Sequence, residues 1–341
     1  MYGILLVNLG TPGSPSVADV RKYLSEFLND PRVIDISGIA RTLLVNAIIV
    51  PFRSPKTAAL YRQIWTEKGS PLLMYGKELE EKLQQELGGN YHVALGMRYG
   101  NPSIRSALDR LKAAMVDKIL VIPLYPQYAS SSTGSTIEET LRLLKEWNVI
   151  PSLDIISSFH AHPAFIEAWT ETAKKYFSGS ETYDHFLFSF HGIPERQLQK
   201  ASDHYCAGSC RSGNCCDEQT DNNRYCYRAS CFHTARLIAA NLHIPGSKYT
   251  VCFQSRLGRT EWIKPYTDAM VREKASAGVR RMLVFAPSFV ADCLETLHEI
   301  REEYARLFRE HGGGELHLAE SLNAHPAWIK ALAAIVREHT R

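Results

Sequence analysis

Residues 281–308 read RMLVFAPSFVADCLETLHEIREEYARLF. An unbroken apolar run from Met282 to Ala286 gives way to a Pro-Ser loop and then to a helical pattern. An apolar run that does not alternate belongs to a strand covered on both faces, as in a parallel sheet. Seven more runs of this kind occur: GILLVNL, HVALGMRY, KILVIPLYP, LDIISSF, HFLFSFHG, YTVCFQS and ELHLAESL. Helical patterns lie between them. SIRSALDRLKAAM places Ile104, Leu108 and Leu111 on one face, and TIEETLRLLKEW does the same with Ile137, Leu141 and Leu144. HPAFIEAWTETAKKYF and PAWIKALAAIVREH are further helices. Strand and helix alternate throughout, which predicts an α/β fold with parallel sheets.

The pattern echoes itself once. SSFHAHPAFIEAW and ESLNAHPAWIKAL share a strand end, a loop, and HPA followed by Phe165 or Trp328. Pro163 and Pro326 stand where a first helical turn starts. This predicts two similar Rossmann-like lobes: residues 1–150, and residues 151–324 with a cysteine-rich insert at 204–232. The helix at about 325–341 is expected to pack back on the first lobe. NLGTPGSP carries glycines but lacks Gly-x-Gly-x-x-Gly spacing, so no dinucleotide fingerprint follows the first strand.

The composition is that of a soluble globular protein: 45% apolar, 22% charged, net charge +3. No basic block or aromatic platform points to nucleic acid. No apolar run reaches the roughly 20 residues that span a bilayer. The nearest, VIDISGIARTLLVNAIIVPF, is either a buried helix or lid, or an apolar lip touching a membrane surface. The N-terminus reads as a first buried strand rather than a signal peptide. The expectation is a cytoplasmic protein, in contact at most with the periphery of the inner membrane, and a monomer.

Ligands of such sheets bind beyond the carboxyl ends of the strands. In HFLFSFHGIPER, His191 directly follows a strand and precedes a Gly-x-Pro turn. It is either a structural histidine or a proton acceptor near neutral pH. Beyond the strand at 281, Glu295, Glu299 and Glu303 recur every four residues and share a helical face. Leu294, Leu297 and Ile300 mark the neighbouring face as buried. The acidic row is either a solvated surface or a lining that carries a divalent cation or protons. Arg53, Tyr61, Ser70, Arg98, Tyr99 and Tyr125 are candidates to hold anionic substrate groups. The hydroxyl-rich loop after Tyr125 either caps a helix or receives carboxylates at its N-terminus.

Six of the eight cysteines fall between Cys206 and Cys231. In a reducing compartment such a cluster reads as a metal site rather than a disulfide framework. Four thiolates suit structural zinc or an iron–sulfur cluster, and the spacing matches no common ferredoxin pattern. Cys252, inside a strand, reads as an ordinary buried thiol.

LLVNLGTPGSP, YPQYASSSTGS, FSFHGIPER, QSRLGRTEWIKP and ADCLETLHEI, in this order, resemble the ferrochelatase family over essentially the whole chain. The resemblance implies two Rossmann-like lobes enclosing a cleft, and insertion of ferrous iron into protoporphyrin IX to give haem b with release of two protons. It implies that His191 and Glu295 are catalytic and that Glu299 and Glu303 continue an iron or proton path. It assigns porphyrin contacts to Arg53, Tyr61, Ser70, Arg98 and Tyr99, with Trp262 in the pocket. Two positions depart from relatives. Cys293 stands where some members carry histidine, and Leu9 stands where the coproporphyrin-using branch carries tyrosine. The second departure favours protoporphyrin. Some bacterial members hold a [2Fe-2S] cluster in an insert placed like this one. That favours the cluster over structural zinc, with Cys206, Cys216, Cys226 and Cys231 as the preferred ligands and Cys210 and Cys215 as alternates. Coproporphyrin III metallation, or a non-catalytic haem- or metal-binding protein, are the competing readings.

Overall fold

The computed structural model describes residues 1–340 apart from 179–181, 206–214 and 259, and for residues 202–205 the backbone alone. All eight apolar runs form strands: β1 (Tyr2–Thr11), β2 (Tyr91–Gly100), β3 (Lys118–Pro123), β4 (Ser152–Ile155), β5 (His185–His191), β6 (Tyr249–Gln254), β7 (Arg281–Phe285) and β8 (Glu315–Leu318). They build two four-stranded sheets, ordered β2-β1-β3-β4 and β6-β5-β7-β8. Every pairing is parallel. The two orders are the same order, so the second half of the chain repeats the topology of the first.

The helices are α1 (Val17–Leu28), α2 (Gly38–Leu43), α3 (Val50–Ile64), α4 (Pro71–Leu87), α5 (Ile104–Ala113), α6 (Ser135–Leu144), α7 (Pro163–Ala173), α8 (Glu195–Tyr205), α9 (Tyr227–Asn241), α10 (Thr267–Ser276), α11 (Ala305–Glu310) and α12 (Pro326–His339). Among the described residues three π-helical stretches adjoin them: Leu44–Ile49, Ser130–Gly134 and Glu295–Tyr304.

The chain divides into two compact units. The first comprises Met1–Tyr125, Ala129–Ser157 and Leu332 onward; the second comprises Pro126–Tyr128 and Ser158–Ala331. The first unit runs past the expected boundary at 150, because β4 pairs with β3 from Lys118↔Ser152 to Val121↔Ile155 and completes that sheet. The end of α12 is tied to the first unit. Arg337 Nη2 donates to the Glu86 carbonyl at 2.8 Å, and the Tyr91 hydroxyl meets that of Thr340 at 3.0 Å.

The sequence echo marks equivalent places, since α7 follows β4 and α12 follows β8. Both helices begin on proline. His162 Nδ1 accepts from Ala164 N at 3.2 Å, and His325 Nδ1 accepts from Ala327 N at 3.2 Å. These are side-chain caps on amides that lack a helical partner.

The cores are apolar in both units. In the first, Leu5, Val7, Val121 and Ala94 pack against Ile104, Leu108, Leu111 and Leu143. Ser103 caps α5, its hydroxyl accepting from Ser106 N at 3.2 Å. In the second, Leu187, Met282 and Val284 pack against Val271, Ile300 and Phe308. Each such side chain contributes about 1.5–3 kcal/mol by leaving water. Cys252 belongs to this core and is fully buried, which pushes its thiol up to about 12.

Gly10 belongs to close strand packing rather than to a phosphate loop. Its φ is +114°, and a Cβ there would lie 1.8 Å from the Tyr99 carbonyl oxygen.

Candidate active site

In the second unit the strand order reverses direction at β5 and β7, the place where open α/β sheets bind ligands. His191 is the last residue of β5 and pairs in register with Gln254, the last of β6. Its backbone is fixed on both sides. His191 N donates to Ser288 Oγ at 3.1 Å, from the loop after β7, and the Tyr227 hydroxyl donates to the His191 carbonyl at 2.7 Å. The next amide, Gly192 N, donates to the Gln254 carbonyl at 2.8 Å.

The ring geometry selects a tautomer. His191 Nδ1 lies 2.6 Å from the Gly192 carbonyl oxygen. A carbonyl can only accept, so Nδ1 carries the proton and Nε2 of the neutral ring keeps its lone pair. The half-buried ring is flanked by Phe289 at 6.1 Å and Trp262 at 6.4 Å between centroids. Trp262 is held by its indole N–H, which donates to the Leu257 carbonyl at 2.9 Å, and by a bridge to Pro194. The structure thus brings Trp262 to His191.

The acidic row is not the α-helical ladder that the four-residue spacing predicts. Glu295–Tyr304 is π-helical, and residues five apart face one another. The Tyr304 hydroxyl donates to Glu299 Oε1 at 2.6 Å, and His298 Nε2 meets Glu303 Oε1 at 3.2 Å. The buried side is correspondingly different: Thr296, His298, Ile300 and Tyr304 are buried, while Leu294 and Leu297 are half-buried.

The three carboxylates consequently differ. Glu299 is the most restrained. Besides Tyr304, it accepts from Gln254 Nε2 at 3.1 Å, from Ser255 N at 3.0 Å and from the Ser255 hydroxyl. Ser255 has φ +64°, a conformation unfavourable for a side chain, which two bonds to one carboxylate hold in place. Glu303 is paired with His298. Glu295 has the lightest load: its backbone carbonyl accepts from Gln254 Nε2 at 3.0 Å, and burial together with the Glu295 charge pushes the Cys293 thiol up. Gln254, Ser255, Tyr304, Ser288 and Tyr227 were not singled out in the sequence. The strand-end FQSR run was the available signal for the first two.

Of the expected substrate contacts of the first unit, Arg98 and Tyr99 belong to a buried network around Asp30. Its Oδ2 accepts from Arg98 Nη2 at 2.7 Å, Tyr99 OH at 2.8 Å and Ser135 Oγ at 2.5 Å. Arg98 Nε also donates to Ser135 Oγ at 2.7 Å, and its guanidinium lies 4.6 Å from the Tyr99 ring centroid. Burial raises the Asp30 carboxyl, but bonds from Ser135, the Arg32 amide and Tyr99, with the Arg98 charge, bring it below the usual carboxylate range. Tyr99 departs from its expected role. It is fully enclosed and its hydroxyl is committed to Asp30, so it braces Arg98 instead of facing a ligand. Ser70 stands at the N-cap position of α4 without a side-chain cap bond, and its hydroxyl accepts from Thr11 Oγ1 at 2.8 Å. Tyr61 is buried edge-on to Trp65, and Arg53 is exposed. Burial holds the Tyr125 hydroxyl protonated. In the hydroxyl loop, Ser130 Oγ accepts from Arg32 Nη1 at 3.0 Å.

Of the candidate metal ligands, Cys206 and Cys210 lie outside the described residues. Cys216 and Cys226 are buried, and the mutual interaction of their thiols lowers the Cys226 thiol and raises that of Cys216. Cys215 Sγ is 4.0 Å from Cys216 Sγ. Cys226 immediately precedes α9, and Cys231 is fully buried one turn into it. Among the described residues no three His, Cys, Asp or Glu side chains converge as a metal site.

The segment is pinned to the body of its unit. Arg236 Nη1 donates to the Cys216 carbonyl at 3.0 Å, and Asn223 Nδ2 donates to those of Cys215 and Glu218 at 2.6 and 2.8 Å. Gln219 Oε1 sits 2.8 Å from His160 Nε2 and also contacts His233 Nδ1. Elsewhere, among the described residues, no helix is long and apolar enough to cross a membrane.

Comparison with known proteins gives a consistent result. The ferrochelatase family model matches residues 1–340. A ferrochelatase of Legionella pneumophila is 47% identical over 336 residues, covering 98% of each chain. One from Coxiella burnetii is 43% identical over 336 residues, covering 98% of this chain and 93% of that one. Among solved structures, SirB from Bacillus subtilis with Fe3+ matches with a TM-score of 0.56 at 12% identity, covering 99% of this chain and 94% of that one. The sirohydrochlorin chelatase SirB from Bacillus subtilis subspecies spizizenii in complex with cobalt matches to the same degree. At that identity the likeness speaks for the two-lobe chelatase fold alone.

Proposed function

The chain belongs to the ferrochelatase family and is a ferrochelatase, inserting ferrous iron into a porphyrin, and on that premise we propose that His191 is the group that takes the pyrrole protons and that the porphyrin is protoporphyrin IX. Metallation exchanges two N–H protons for one Fe2+, so a base must accept protons as iron enters. The observation that carries this role is the bond from His191 Nδ1 to the Gly192 carbonyl, which leaves Nε2 as the accepting atom. Glu295 is the next group, as the least restrained carboxylate of the row, and it passes protons outward or iron inward. Glu299 and Glu303 continue the path, with Glu299 chiefly anchoring the π-helix. Arg53, Tyr61, Ser70, Arg98 and Tyr125 are the proposed porphyrin contacts of the first unit, with Trp262 beside His191.

Protoporphyrin is favoured by Leu9, near the end of β1, where the coproporphyrin-using branch carries a tyrosine. Peripheral contact with a membrane is favoured by Ile39, Leu43, Ile48 and Phe52. These recur every four or five residues along α2, the π-helical stretch and α3, and Ile39 and Phe52 are 80% and 75% exposed.

The soft, buried thiols of Cys216 and Cys226, each of which perturbs the other, with Cys231 one turn into α9, suit a [2Fe-2S] cluster completed by Cys206. When bound, the cluster supplies a one-electron centre. Iron insertion has no need of it, since the metal stays ferrous. A colourless protein with one zinc would replace the cluster with structural zinc.

The test is anaerobic metallation of protoporphyrin IX and coproporphyrin III by wild type and His191→Ala. The expected result is preference for protoporphyrin and a loss of about 10²–10⁴-fold in kcat without the imidazole. Equal activity of the two proteins would remove His191 from the chemistry. Preference for coproporphyrin would overturn the substrate assignment.

A further inference from the structure

The hydroxyl of Tyr227 joins two features that the reaction itself does not join. It donates to the His191 carbonyl at 2.7 Å. The Ser288 hydroxyl accepts the His191 amide, and Cys231 lies four residues beyond Tyr227 in the same helix. Tyr227 is the first residue of α9 and directly follows the buried Cys226, whose thiol interacts with that of Cys216. We propose that Tyr227 is a positioning residue that fixes the tautomer of His191 and transmits the state of the Cys216–Cys226 thiol pair to it. This rests on the reading of His191 as the proton acceptor.

The physical chain has three links. The peptide between His191 and Gly192 is held at both polar atoms, its carbonyl by Tyr227 and its N–H by the Gln254 carbonyl at 2.8 Å. That peptide sets the place of the Gly192 carbonyl, which accepts from Nδ1 at 2.6 Å and so keeps Nε2 unprotonated. Freeing one end lets the turn tilt and weakens the bond that selects the tautomer. Tyr227 is itself buried, so its hydroxyl has no water to fall back on.

The third link is rigidity on the thiol side. Arg236 holds the Cys216 carbonyl, and Gln219 bridges His160 and His233. With residues 215–219 clamped in this way, a change in the separation or ligation of Cys216 and Cys226 moves the start of α9 instead of being absorbed. Tyr227 is the next residue along.

The experiment compares full-length wild type, Tyr227→Phe, Cys226→Ser and the double variant, with Tyr225→Phe as a control in the same segment. Tyr227→Phe keeps the ring and removes only the hydroxyl. It is expected to lower kcat by about tenfold, the size of one net hydrogen bond, with porphyrin KM within about twofold of wild type. Nitrogen NMR of 15N-histidine-labelled protein, without iron or porphyrin, should show His191 as the single Nδ1–H tautomer in wild type and in Tyr225→Phe. In Tyr227→Phe it should show a mixture. Cys226→Ser should shift the same signal in wild type but not in the Tyr227→Phe background. An unchanged tautomer and kcat in Tyr227→Phe overturn the positioning role, and additive effects of the two substitutions overturn the coupling. Because the tautomer is read without substrate, wild-type activity of His191→Ala would sink the proton-acceptor reading and leave this result standing.

Discussion

The side-chain amide of Gln254 donates to the carboxylate of Glu299 at 3.1 Å. The same nitrogen donates to the backbone carbonyl of Glu295 at 3.0 Å, and Gln254 stands opposite His191 in the register of β5 and β6. One residue therefore ties the start of the π-helix to the strand end that carries the histidine. The proposed acid row and base do not depend on a flexible loop for their alignment.

Glu299 and Glu295 should separate by substitution. Glu299→Gln replaces a carboxylate that accepts from Gln254, Ser255 and Tyr304 by an amide whose N–H groups face some of those donors. It should lower stability by about 1–3 kcal/mol, seen as a reduced thermal midpoint. Glu295→Gln should leave the midpoint nearly unchanged and reduce kcat for metallation by about 10²-fold or more. Equal destabilisation by both would contradict the division of roles.

Gly192→Ala should damage the site through the backbone. A Cβ there would lie 2.9 Å from the Gln254 carbonyl oxygen and 3.2 Å from Trp262 Cε3. The first contact is with β6 itself, which cannot rotate away. A loss of about 1–3 kcal/mol is expected, together with a fall in kcat as the His191 turn shifts. Chemical denaturation and steady-state rates read the two effects separately.

The Asp30 network should give the fold an acid limb. Its folded carboxyl titrates below the unfolded value, so the stabilisation is present above the ordinary carboxylate range and is lost as pH falls through the folded value. The window lies below about pH 4. Asp30→Asn should cost about 3 kcal/mol at neutral pH by leaving Arg98 poorly paired, and should flatten this part of the stability–pH curve. An unchanged acid limb in the variant would assign it to other carboxylates.

Removal of the proposed cluster should loosen the cysteine segment more than the sheet. Purified protein is expected to be red-brown with about two irons per chain. Chelation should raise amide exchange at residues 215–226 and leave β5 and β7 protected, because ligand binding there is coupled to local order. Equal exposure of the strands would mean the metal supports the whole unit.

Sequence alone was enough for the strands. All eight strands were legible because buried parallel strands must be apolar on both faces, and that requirement is local. The HPA echo was legible for the same reason: proline at a helix start and a capping histidine before it are short-range chemistry. So was the place of His191, directly after a strand and before Gly-x-Pro.

What the sequence did not determine depends on contacts distant along the chain. Whether Glu295, Glu299 and Glu303 form one ladder depends on a π-helix held by Gln254 and Ser255, about forty residues upstream. Whether Tyr99 faces a ligand depends on Asp30, which approaches it from the far end of α1. The strand that closes the first sheet was read correctly as a strand but assigned to the wrong lobe, because pairing partners are chosen in space. Period and composition report which residues must be buried; only the assembled chain decides which donors and acceptors meet, and here those meetings set the tautomer of the histidine and the different hydrogen-bond partners of the glutamates.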